Sequence, residues 1–129
     1  MKHIPLIGRI LYSLIFLMSG LGHFFDLTTM SQYTASKGVP LPEVAVIITG
    51  IMLLAGGLSV LLGYKVKIGT ALLVIFLVPT SFIMHNFWAV EDAMQSQMQM
   101  ILFMKNISMA GAALLIYHFG TGELSLEKG

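Results

Sequence analysis

Residues 68–88 read IGTALLVIFLVPTSFIMHNFW. The first seventeen positions are apolar or small, and the run then turns polar at His85 and Asn86 before closing on Phe87 and Trp88. A helix rises about 1.5 Å per residue, so roughly twenty residues cross the ~30 Å hydrocarbon layer of a bilayer. This segment therefore reads as a membrane span that stops with a histidine at the surface. Trp88 agrees, because indole rings collect at headgroup depth. Pro79 lies inside the run, and neighbouring hydroxyls such as Thr80 and Ser81 are expected to re-satisfy the carbonyl it frees, with a kink about one turn below His85.

The composition of the whole chain says the same. Of 129 residues 57% are hydrophobic and only 10% charged, and the mean hydropathy is +0.88, outside the soluble globular range. A single membrane domain over residues 1–129 follows. The net charge of +1 provides no basic face for nucleic acid, which must displace counterions. Cysteine is absent, which removes disulfides, thiolate metal sites and cysteine-held iron–sulfur clusters. Redox chemistry would need a bound cofactor or a partner.

Outward from this span, three more are expected, at about residues 6–25, 44–63 and 98–119, beside 68–88. The first opens with Lys2 and Arg9 and resembles a secretory signal, but its apolar part is too long and no Ala-x-Ala site follows. Ser19, His23 and Asp26 share one face near its far end. Between Asp26 and Glu43 the chain leaves the hydrocarbon. Thr29-Met30-Ser31-Gln32 has the capping-box form and Gly38 follows Lys37 as a helix stop, predicting one or two interfacial turns with Tyr33 at headgroup depth. In the second span Ala55 and Ser59 form a small-xxx-small pair for close packing. In the fourth, Ser108, Gly111 and Ala112 mark such a face, and the polar tail from Gly120 is expected to be mobile.

Counting bases sets an orientation. Lys2, Arg9, Lys65, Lys67 and Lys128 fall on one side and only Lys37 lies in a loop on the other, which by the positive-inside rule puts both termini in the cytoplasm. The expected architecture is an all-α, antiparallel four-helix membrane bundle. In that arrangement His23, His85, Asn86, Lys105 and Asn106 all approach the outer leaflet. Ionisable groups inside spans are costly and usually face the bundle, so these five are the candidate ligand-binding residues of an outward-facing pocket. The plainer alternatives are snorkelling by Lys105 and interfacial hydrogen bonding by the histidines. His3 and His118 receive no role.

Three ligands were weighed for that cluster. Haem between two histidines would sit half exposed at the rim, and Cu(I) would draw on Met84, His85, Met94, Met98, Met100 and Met104, whose methionines serve equally as packing. A quinone or similar amphiphile suits the cluster better, since its carbonyls want His, Lys or Asn donors and its tail wants lipid. No metal site is assigned. A 14.1 kDa bundle leaves surface for the lipid bilayer, a homo-oligomeric contact or a partner subunit.

Phe16-Leu-Met-Ser-Gly-Leu-Gly22, Gly38-Val-Pro-Leu-Pro42, Gly56-Gly57 through Leu61-Leu62-Gly63, His85-Asn86-Phe87-Trp88 and Phe103-Met-Lys-Asn-Ile107 occur in order along the chain. In these pieces the sequence resembles the DoxX family of small four-helix membrane proteins over nearly its whole length. The resemblance implies a bacterial or archaeal inner-membrane protein associated with oxidoreductase complexes, including a thiosulfate:quinone oxidoreductase subunit. The chain departs from the family pattern at His23, where lysine is frequent, and at Met52-Leu53, where an acidic residue often precedes the Gly-Gly pair. The expected function is a membrane component of a quinone-linked redox system, with enzymatic turnover left open. The alternative is a non-catalytic scaffold or partner-binding subunit, and a transporter is hard to build without an internal repeat.

Overall fold

A computed structural model describes residues 2–122 and 124–126. Lys128, counted above toward orientation, lies outside the described residues. Five helices run α1 (His3–Phe25), α2 (Leu27–Ser36), α3 (Pro42–Leu62), α4 (Val66–Met84) and α5 (Ala93–Phe119), with a 3-10 turn at Phe87–Ala89. Among the described residues there is no strand. Four stretches are long and apolar enough to cross a membrane: His3–Phe25, Pro42–Leu62, Val66–Ala89 and Ala93–Phe119. They coincide with the four expected spans, and the last begins earlier than residue 98. Asp92 accepts the Gln95 amide at 2.9 Å and caps the start of that helix.

The four spans pack mainly in chain order around one core. α3 lies between α1 and α4, and α4 between α3 and α5, while the α1 and α5 backbones stay further apart and meet through side chains such as Tyr12, whose hydroxyl donates to the Met109 carbonyl. Phe16, Leu53, Val60, Leu73, Leu77, Ala110 and Ala113 make the core. Large side chains such as Leu11, Met18, Ile68 and Leu115 remain exposed. In water such a surface would drive association, whereas lipid tails solvate it.

Glycine sets the close approaches of α3. A Cβ on Gly57 would come within 3.0 Å of Leu17 on α1, and one on Gly56 within 2.7 Å of Leu73 and 2.9 Å of the Gly69 carbonyl on α4. The close face is therefore Gly56 with Ser59, not Ala55 with Ser59; Ala55 is exposed. Ser59 also donates to the Tyr64 carbonyl at 2.6 Å, closing the turn into α4. On α5 the packed face is Asn106, Ala110 and Ala113, at helical spacing. Ser108 and Gly111 point away, and nothing lies within 4 Å of a Cβ built on Gly111.

Three local expectations are corrected. α2 begins at Leu27, so Thr29 falls inside it and forms no capping box; the helix has ten residues. The helix of α4 continues through Pro79, and the Ser81 hydroxyl donates to Leu77 at 2.7 Å, serving its own preceding turn and not the Ile75 carbonyl that the proline frees. The described part of the tail is held, not loose. Buried Arg9 donates to the carbonyls of Thr121 at 2.9 Å and Leu124 at 2.7 Å and to Ser125 Oγ at 2.7 Å, and the Leu126 amide donates to Leu62 at 2.9 Å. These bonds gather the start of α1, the α3–α4 turn and the chain's end at one pole of the bundle.

Candidate functional site

At the other pole α2 lies across α3 and the end of α1. Its Tyr33 hydroxyl reaches the Met84 carbonyl at 3.3 Å, and Lys37 Nζ donates to Asn86 Oδ1 at 3.1 Å while standing 5.6 Å over the Tyr33 ring. Gly38, at φ +81°, ends the helix in the left-handed region that glycine enters freely. Beneath α2 is a cavity of about 490 Å³, within the range of small-molecule sites. Its walls are mainly aliphatic and aromatic, with His23, Thr49, His85, Lys105 and Asn106 among the polar groups.

His23 is 5% exposed and is positioned by α1. Room for it comes from Gly50 of α3, where a Cβ would lie 2.9 Å from the His23 Cβ. Its Nδ1–H donates to the Val46 carbonyl at 2.9 Å, with Thr49 Oγ1 at 3.2 Å. Since a carbonyl only accepts, the neutral ring carries its proton on Nδ1 and presents Nε2 as an acceptor. Among the described residues Nε2 has no hydrogen-bond partner. The Phe76 ring lies 6.2 Å away, edge-on, and keeps this part of the cavity apolar.

His85 ends α4 and is half-buried; its Nδ1–H donates to Gln99 Oε1 of α5 at 2.8 Å. That bond fixes the same tautomer as in His23. Asn106 is 5% exposed, lines the cavity, and has no side-chain partner among the described residues. Its amide borders the open space of the cavity, where water or a ligand can bond it. Lys105 is exposed at the cavity's edge.

Four of the five sequence candidates thus line one cavity, drawn from three helices. Asn86 does not line it. The helical period stops at Met84, and Asn86 turns to Lys37 instead. Gln99 and Thr49 were missed. Gln99 stands seven residues before Asn106 on the same α5 face, a spacing that could have found it. Among the described residues no three His, Asp or Glu side chains gather to hold a metal ion.

Around this site Phe82, Phe87, Trp88 and Phe103 stack edge to face, with Phe103 at 5.2 Å from Phe82 and 5.8 Å from Trp88. They join the α4 end to α5, and Trp88 remains exposed, as an interfacial ring should.

Fold and surface together define a multi-pass helical membrane protein with a cavity under one pole. Residues 4–86 match the DoxX family, and the chain belongs to it. It is 35% identical over 124 residues to the inner membrane protein YphA of Escherichia coli (strain K12), covering 95% of this chain and 87% of that one. It is also 29% identical over 126 residues to the inner membrane protein YqjF of the same organism, covering 95% and 88%. No solved structure matches the chain. The protein is a multi-pass inner-membrane protein of this family.

Proposed function

We propose that this DoxX-family protein is the membrane component of a redox system and holds a quinone-like amphiphile in the cavity beneath α2. The observation that carries the reading is the convergence of His23, His85, Lys105 and Asn106 on one largely apolar cavity. Apolar walls suit a ring and tail, and the few polar groups supply orientation. His85, held by Gln99, exchanges a proton with the ligand; Lys105 stabilises developing negative charge; Asn106 orients the ring. Asn86 serves α2 through Lys37. In this reading the termini are cytoplasmic and the cavity faces outward, on the strength of the lysine distribution.

Detergent-purified protein should carry an organic-extractable quinone visible in the ultraviolet spectrum. His85→Ala and Lys105→Met should lower both its occupancy and the activity of the partner complex. Protein that carries none, with variants indifferent in partner activity, would refute the reading.

A second reading rests on a separate observation. Ser108 and Gly111 form an exposed small-residue face on α5 with open space over Gly111. Such faces admit a second helix closely, as a scaffold or partner-binding subunit would need. Gly111→Leu should then release a partner while leaving the occupancy of the cavity unchanged.

A further inference from the structure

The seam between α1 and α5 is closed over half its length and open over the other half. Toward the pole of the termini, Arg9 clasps the tail that follows α5, and the Tyr12 hydroxyl donates to the Met109 carbonyl at 2.5 Å. One to two turns beyond Tyr12, Ile15 and Ser19 of α1 are exposed yet line the cavity, as does Lys105 opposite them on α5. Here the α1 and α5 backbones stay apart, and Ile15, Ser19 and Lys105 remain exposed between them. In a spanning bundle that side of the cavity opens toward lipid, while α2 covers its polar end.

Deeper in, two largely buried residues border the cavity with polar groups of complementary kind. His23 Nε2 accepts, and the Asn106 amide donates and accepts. Among the described residues Lys105 is the one lysine or arginine lining the cavity, and it stands at the exposed edge, which disfavours a phosphate head needing several donors at once. We infer that the α1–α5 gap is a lateral portal: a tailed amphiphile enters from the bilayer between Ile15, Ser19 and Lys105, and its small uncharged ring, bearing one donor and one acceptor, lodges between His23 and Asn106. This deepens the proposed function, the donor being a hydroxyl of the reduced, quinol-like ring, and rests on its cavity. It adds the route, the head-group chemistry and the two buried residues that read it.

The probe is 2-heptyl-4-quinolone, an uncharged ring with one N–H and one carbonyl on an alkyl tail, with tail-less 4-quinolone as its control. Binding is measured by quinolone fluorescence on the full chain in lipid nanodiscs. The wild type should bind the tailed probe at least tenfold more tightly. His23→Phe and Asn106→Leu should each weaken both probes about tenfold. Ser19→Phe and, as a second obstruction, Ile15→Trp should weaken the tailed probe about tenfold and the tail-less one less than twofold. Leu115→Phe, on exposed α5 surface away from the cavity, should change neither. Unchanged binding of the tailed probe in both portal variants overturns the portal even if the buried variants lose binding. A wild type that binds neither probe overturns the head-group assignment whatever organic extraction reveals, and failed extraction with intact quinolone binding counts against the redox reading alone.

Discussion

Arg9, buried in α1, donates to the backbone carbonyl of Thr121 at 2.9 Å across the end of the bundle. A cation within a span is costly unless its hydrogen bonds are met, and here the tail accepts from both terminal guanidinium nitrogens at Thr121, Leu124 and Ser125. Charge-assisted bonds of this kind are worth about 1.5–3 kcal/mol each before compensation by solvent and lipid. Arg9→Met should therefore free the tail and lower Tm by about 5–10 °C. Amide exchange at Leu126, whose N–H is bonded to Leu62, should accelerate at least tenfold. An unchanged exchange rate would show that the tail is held by other contacts.

Two glycines of similar sequence setting should respond oppositely to one methyl group. At Gly56 a Cβ meets Leu73 at 2.7 Å and the Gly69 backbone at 2.9 Å, so the helices must part. At Gly111 it meets nothing within 4 Å. Gly56→Ala should cost about 1–3 kcal/mol from overpacking, read as a lower Tm in detergent. Gly111→Ala should be neutral or gain up to about 1 kcal/mol from helix propensity. Equal responses would mean that α3 and α4 are not tightly apposed.

That contrast marks where the sequence was readable and where it was not. Spans are set by length and hydropathy, properties local to the chain, so residues 68–88 and their three counterparts could be found directly. Which small residue faces a neighbour is set by the rotation of each helix in the bundle, and Ala55 and Gly111 were accordingly misplaced. The candidate site followed the same division. His23, His85, Lys105 and Asn106 could be matched by depth alone, because antiparallel spans bring their matching ends together. Asn86 could not, since it follows the last helical residue, Met84, and its direction is fixed by α2 through Lys37. The clasp of Arg9 on the tail pairs residues more than a hundred positions apart, beyond any periodicity.

Orientation can be tested with unusual cleanness because the chain lacks cysteine. Ser36, at the end of α2, and Tyr64, in the α3–α4 turn, are both exposed and lie at opposite poles. With cytoplasmic termini, Ser36→Cys should react with a membrane-impermeant maleimide in spheroplasts. Tyr64→Cys should react only after permeabilisation. The reverse pattern would invert the assignment and place the cavity on the cytoplasmic side.

Gln99 offers the sharpest test of how His85 works. Its Oε1 accepts the His85 Nδ1–H at 2.8 Å, holding the ring in one tautomer and one orientation. If that orientation matters, Gln99→Leu should reproduce His85→Ala in ligand retention, a fall of about tenfold, which corresponds to about 1.4 kcal/mol and one hydrogen bond's net worth. Gln99→Glu retains the acceptor and should return retention to within twofold of wild type, whereas Tm should differ little among the three. A structural role alone would lower Tm in step with retention and gain nothing from the restored oxygen. Retention that stays at the wild-type level in Gln99→Leu would separate His85 from ligand holding and shift the work to His23 and Asn106.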